Sequence, residues 1–231
     1  MKKHIGCTSI NHLQFYCIFL ICFITNAQDW PNLERFAQDN KALTLTARES
    51  ERIVFMGNSI TEGWPNHHPE FFERKPYVLR GISGQTTSQM LLRFKPDVID
   101  LKPKMVILLA GTNDIAGNTG PTTEKTILDN IFSMAELAKS HHIKVLLCSI
   151  LPAFDYPWKP RLAPAQKIVR LNTAIKAYAL ENDCFYVDYF SAMADEKQGL
   201  KKSLTYDGVH PNKAGYLVME TIITNSIADT K

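Results

Sequence analysis

The stretch Ile53-Val54-Phe55-Met56-Gly57-Asn58-Ser59-Ile60-Thr61-Glu62-Gly63-Trp64 decides the fold, because a continuous apolar run there breaks off into small and polar residues. Bulky apolar residues bounded by Glu51 and Arg52 on one side and Gly57 on the other read as a strand covered on both faces, the signature of a parallel sheet. Ser59 then falls just beyond the strand's carboxyl end. Open α/β sheets bind ligands at that end, so the hydroxyl is offered to a substrate rather than to the core. The same Asn58-Ser59 pair also suits an ordinary helix cap, and the rest of the chain has to separate the two uses.

Outward from this strand the pattern alternates. Before it, Trp30, Leu33, Phe36 and Ala37 recur at helical spacing and predict an N-terminal helix packed on the outside of the sheet. After it come a loop with His67, His68 and Pro69, a short helix around Phe71 and a strand over 77–80. Gly81-Ile82-Ser83-Gly84-Gln85-Thr86-Thr87 opens a helix through Met90, Leu91 and Phe94, and an apolar strand over 104–110 ends in Gly111-Thr112-Asn113-Asp114. A helix over 122–141, a strand over 143–150, a helix over 164–182, a strand over 184–188 and a last helix over 212–226 complete the chain. Five strands separated by helices predict right-handed crossovers and one parallel sheet covered on both faces.

Residues 1–27 read as a secretory signal peptide: Lys2 and Lys3, an apolar run from Phe15 to Ile24 too short to span a bilayer, then Thr25-Asn26-Ala27. The expected location is therefore periplasmic or secreted, with no stable membrane insertion after cleavage. Residues 28–231, about 200 in all, suit a single α/β domain. Loss of the leader lowers the formal charge from +3 to about +1, a balance that argues against a nucleic-acid partner. Of five cysteines only Cys148 and Cys184 remain, both in predicted buried strands, where they suit small core residues and would bridge only if the strands were neighbours.

Asp207-Gly208-Val209-His210-Pro211 is the most informative polar stretch. An Asp and a His three apart, with a glycine between them, can turn to one side and leave the carboxylate close enough to orient the imidazole. A serine hydroxyl needs a base beside it, and histidine is the base suited to neutral pH. Ser59, Asp207 and His210 thus stand in the order of one version of the Ser/His/Asp triad. An Asp capping the last helix beside a solvated His is the plainer use of the same residues.

Taken together, Gly57-Asn58-Ser59-Ile60, Gly84, Gly111-Thr112-Asn113-Asp114 and Asp207-Gly208-Val209-His210-Pro211 resemble, in sequence order, the blocks of the SGNH hydrolases, also called GDSL esterases and lipases. The form around Gly-Asn-Ser is similar to bacterial acylhydrolases related to platelet-activating-factor acetylhydrolase catalytic subunits and to carbohydrate O-acetylesterases. The resemblance implies a flavodoxin-like three-layer α/β/α sandwich with a five-stranded parallel sheet. It also implies Ser59 as nucleophile, His210 as general base, Asp207 as its orienter, and an oxyanion hole from the N–H groups of Ser59 and Gly84 with the Asn113 amide. That hole is chemically sound, since acyl transfer builds negative charge on the carbonyl oxygen and fixed neutral donors stabilise it. One departure stands out: Asn58 occupies the position of the family's usual Asp.

The loop from Pro152 to Arg161 follows the fourth strand and lies on the rim that carries Ser59, so Tyr156 and Trp158, with Trp64 near the nucleophile, are expected to wall the substrate site. No metal or other cofactor is called for; the adjacent pairs His67-His68 and His141-His142 point apart and read as solvated loop residues. The expected activity is a serine esterase acting on short acyl, above all acetyl, esters of a carbohydrate or small molecule. A lysophospholipase or thioesterase on longer chains, or a non-catalytic glycan-binding module, would fit the same fold.

Overall fold

The computed structural model describes residues 29–45 and 51–230. The predicted signal peptide lies outside the described residues. Five short strands, β1 (Ile53–Gly57), β2 (Tyr77–Gly81), β3 (Met105–Leu109), β4 (Lys144–Cys148) and β5 (Phe185–Val187), form one parallel sheet in the order β2-β1-β3-β4-β5. Side chains alternate across each strand. Val54 and Met56 join Val106, Leu108, Val145 and Leu147 on one face, whereas Ile53 and Phe55 join Met105, Ile107, Leu109 and Leu146 on the other. The apolar runs are continuous because both faces are covered.

Helices α3 (Thr87–Asp97), α5 (Glu124–Ser140) and α6 (Ala165–Glu181) cover the first face through Met90, Phe94, Ile127, Ile131, Ile168 and Leu171. Helices α2 (Ser59–His67), α7 (Tyr189–Met193) and α8 (Lys213–Asp229) cover the second through Ile60, Trp64, Met193, Tyr216 and Met219. The result is a three-layer α/β/α sandwich. Strand order reverses direction between β1 and β3, and the crevice above such a switch point is where this architecture binds ligands. The chain leaves β1 into Ser59 and leaves β3 into α4 (Thr112–Ala116), which carries Asn113.

Some expectations are corrected. The N-terminal helix is shorter than predicted: a 3-10 turn over Leu33–Phe36 leads into α1 (Ala37–Thr44). Trp30 and Leu33 stay exposed, and the buried residue of α1 is the polar Asn40, because its neighbours are the buried Arg80 and Asp97 rather than an apolar face. Helices α4 and α7 escape the sequence pattern, having five residues each and so too little length for a helical period. Cys148 and Cys184 are both free although β4 and β5 are neighbours: Cys148 packs on the α2 face and Cys184 on the α3 face, with the sheet between them.

Candidate active site

Helix α2 begins at Ser59 because Asn58 caps it, its side-chain oxygen accepting the Ile60 N–H at 3.0 Å. An Asp would accept that bond equally, so the amide preserves the cap and removes one buried charge. Gly81, at the end of β2, lets α2 sit against the sheet; a Cβ there would come within 2.3 Å of the Glu62 nitrogen. This close seat fixes the start of α2, and with it Ser59, over the strand ends.

The serine hydroxyl lies 2.9 Å from His210 Nε2, and Asp207 Oδ2 lies 2.7 Å from His210 Nδ1. With the carboxylate accepting the Nδ1 proton, the lone pair of Nε2 faces the hydroxyl and can take its proton. The loop that brings Asp207 and His210 together is self-supporting. Asp207 Oδ1 accepts the N–H groups of Val209 and His210 at 2.9 and 2.7 Å, and Gly208 supplies the left-handed backbone, φ +88°, that the turn requires. Thr205 closes it, accepting the Gly208 N–H at 2.9 Å and donating its hydroxyl to the His210 carbonyl at 2.6 Å. Burial acts to raise the Asp207 carboxyl, but the hydrogen bonds from the His210 N–H, the His210 ring and the Val209 N–H outweigh it and hold the group below the usual carboxylate range.

Gly84 and Asn113 face the same cavity as Ser59 and His210. Gly84 adopts φ +77°, a left-handed conformation that glycine takes without steric cost. Asn113 donates one amide N–H to the Gln85 carbonyl at 2.9 Å, which uses one of its two donors and fixes the plane of the amide. The next residue, Asp114, is buried and accepts the Thr87 N–H at 2.9 and 3.1 Å and the Thr87 hydroxyl at 2.6 Å. It pins the start of α3 to α4, just beyond β3. Burial pushes the Asp114 carboxyl up, against the lowering effect of the Thr87 bonds. Ser59, Gly84, Asn113, Asp207 and His210 are therefore brought together, in an arrangement that can attack a carbonyl carbon and stabilise the oxyanion that forms.

The expected substrate wall is only partly realised. Trp64 is 2% exposed: it lies on the inner face of α2 with Ile60 and Thr61, stacks on Phe71 at 5.6 Å and donates its indole N–H to Glu220 at 2.9 Å. It is a core residue, because α2 turns that face onto the sheet. Tyr156 is 0% exposed and shares a 2.9 Å hydrogen bond with Thr112; burial raises its phenol to about 12. Trp158 does reach the cavity, 46% exposed, stacked on Tyr156 at 5.2 Å and 5.9 Å from the His210 ring. A second ring, Tyr206, was not anticipated: 64% exposed, it stacks on His210 at 5.8 Å with the planes 10° apart. Its position next to Asp207 in the sequence was the available signal.

The pair His67-His68 is not solvated as expected. His67 ends α2, packs 5.1 Å from the Tyr216 ring and lines the cavity, while His68 Nδ1 lies 2.8 Å from Glu220. His141 and His142 are exposed, as read. Among the described residues no group of three or more His, Cys, Asp and Glu side chains is placed to hold a metal ion.

Comparison with known proteins bears on the family. Residues 55–218 match the model of the GDSL-like Lipase/Acylhydrolase family. A proposed acylhydrolase from Bacteroides fragilis is 50% identical and superposes with a TM-score of 0.85, covering 88% of this chain and 99% of its own. A GDSL-like lipase from Bacteroides thetaiotaomicron is 48% identical, with a TM-score of 0.84 and coverage of 87% and 99%. Esterase TesA of Pseudomonas aeruginosa is 26% identical over 179 residues, 75% of this chain and 82% of that protein.

Proposed function

The chain belongs to the GDSL-like lipase/acylhydrolase family and is a carboxylic ester hydrolase, and we propose that it removes short acyl groups, acetyl above all, from a carbohydrate or similarly polar alcohol. One observation carries this choice of substrate. The cavity above Ser59, about 800 Å³, is lined among the described residues by Arg35, Glu62, Asn66, Asn118, Trp158, Tyr206 and their neighbours, with no Leu, Ile, Val or Met. A long acyl chain gains about 0.8 kcal/mol for each methylene buried against an apolar wall, and this cavity offers it no aliphatic side chain. A sugar ring, in contrast, finds exposed aromatic faces at Trp158 and Tyr206 and polar partners around them.

In the proposed reaction His210 Nε2 takes the Ser59 proton as Oγ attacks the ester carbonyl. Asp207 stabilises the imidazolium, and the N–H groups of Ser59 and Gly84 with the Asn113 amide receive the negative charge. Collapse of the tetrahedral intermediate transfers the proton from His210 to the departing alcohol and leaves an acyl-Ser59, which water, deprotonated by His210, then hydrolyses to the free acid and serine. Export of the protein, inferred from residues 1–27, would place this activity outside the cytoplasm. A panel of aryl esters and acetylated sugars tests the proposal. The expected kcat/KM is highest for acetyl and falls by butyryl or hexanoyl. Highest activity on octanoyl or longer esters would replace it with a lysophospholipase or thioesterase.

A further inference from the structure

Gly84 has no side chain to hold its turn, yet an oxyanion donor acts only when fixed before the charge develops. Its own carbonyl accepts the Asn118 amide at 3.1 Å, and the rest of the restraint comes from its two neighbours, Ser83 and Gln85. On one side, Ser83 donates its N–H to Glu62 Oε2 at 2.8 Å, and its hydroxyl donates to the same oxygen. Glu62 stands one turn after Ser59 on α2, so its carboxylate ties the Gly84 turn to the nucleophile's own helix. Arg35, 3.1 Å from Oε1, holds the carboxylate in place. Burial tends to raise the Glu62 carboxyl, but the Ser83 bonds and Arg35 prevail and keep it below the ordinary range.

On the other side, Gln85 is buried and uses every polar group it has. Its Oε1 accepts from Arg93 Nε at 2.5 Å, its Nε2 donates to the Pro31 carbonyl at 2.7 Å, its N–H donates to the Ile82 carbonyl at 3.3 Å, and its own carbonyl accepts the Asn113 amide. Arg93 is itself fully buried. It donates to the Gly57 and Arg80 carbonyls, at 3.1 and 2.9 Å, and to Asp97 at 2.8 Å, so it anchors Gln85 to the ends of β1 and β2. The turn is thereby gripped from α2 and from the sheet at once.

We infer that Glu62 and Gln85 are positioning residues that clamp the Gly84 turn, Glu62 setting its distance from Ser59 and Gln85 setting the Asn113 amide beside it; this rests on the esterase function proposed above. The test is steady-state kinetics on an aryl acetate, with each variant measured well below its own melting midpoint. Glu62→Ala and Gln85→Met each lower kcat about tenfold with KM within about twofold, because the loosened donors matter most in the transition state. Glu62→Gln, which keeps an acceptor oxygen for Ser83, recovers most of the rate. In an Asn113→Ala background the Gln85→Met loss shrinks to about threefold or less, since its amide target is gone, while Glu62→Ala keeps its full effect.

An unchanged kcat for both Glu62→Ala and Gln85→Met would overturn the clamp and leave these residues as folding contacts. A loss confined to KM in Glu62→Ala would overturn it too, making Glu62 a substrate contact. Glu62 lies at the cavity edge, so its variants keep the test decisive should Gln85→Met fail to fold. If Asn113→Ala slows turnover and the clamp variants do not, only the clamp fails; a normal kcat for Asn113→Ala would instead overturn the oxyanion hole on which it rests.

Discussion

The two sides of the cavity are built from different materials. Ser59, Gly84 and Asn113 lie just beyond the ends of β1, β2 and β3, and buried groups tie that region together: the Asn58 cap, the Asp114–Thr87 bonds and the Arg93 guanidinium. Trp158 and Tyr206 ride on loops and expose much of their rings. The Trp158 loop passes through left-handed residues at Arg161 and Ala163, and it is anchored by Asp155, which accepts the Tyr156, Arg161 and Leu162 N–H groups, and by Lys159, which donates to the Ala116 carbonyl at 2.8 Å. Under the function proposed above, the rigid side governs charge development in the transition state and the looped side governs which alcohol is held. Changes on the first should act on kcat, and changes on the second on the choice of substrate.

The largest effects test the rigid side. Ser59→Ala and His210→Ala each remove nearly all turnover, and the double variant is no worse than either alone because the two act as one unit. Multiplicative losses would break that unit apart. Asp207→Asn still folds but turns over about 10⁴-fold more slowly, since the imidazole loses its orienting charge. Because the folded Asp207 carboxyl is held low, its stabilising contribution is present above the ordinary carboxylate range and is lost only as pH falls through the depressed value. A protonated His210 cannot accept the Ser59 proton, so kcat/KM should fall toward acid pH. A flat profile from about pH 5 to pH 8 would remove His210 as the base.

Asn113→Ala is expected to lower kcat by about 100- to 1,000-fold with KM little changed. A KM effect alone would move Asn113 to the recognition side of the comparison. The smallest effect belongs to that side: Trp158→Ala should weaken an acetylated sugar by about tenfold in kcat/KM and a small aryl acetate much less, if the ring stacks on the leaving group. Equal losses on both substrates would leave Trp158 with a packing role only.

The sheet was legible in the sequence because strands covered on both faces are uninterrupted apolar runs, and the polar blocks fall where those runs stop. Side-chain direction within helices was less legible. Trp64 lies close to Ser59 in sequence, but the face it shares with Ile60 and Thr61 turns inward, and Tyr156 sits behind Trp158 because its hydroxyl is bound to Thr112. The buried polar framework left a single trace, the charged pair Arg93 and Asp97 on the same face of α3 as Met90 and Phe94. Charges at core positions of an amphipathic helix require buried partners, and the partners, Gln85, Asn40 and the strand-end carbonyls, come from segments that no local spacing connects.

An activated nucleophile at Ser59 reacts with a fluorophosphonate, and mass spectrometry of the labelled protein locates the adduct. One adduct per chain is expected, located on Ser59, absent from Ser59→Ala and formed far more slowly in His210→Ala. Folded protein that stays unmodified, or an adduct formed at another residue while Ser59 remains free, would contradict it.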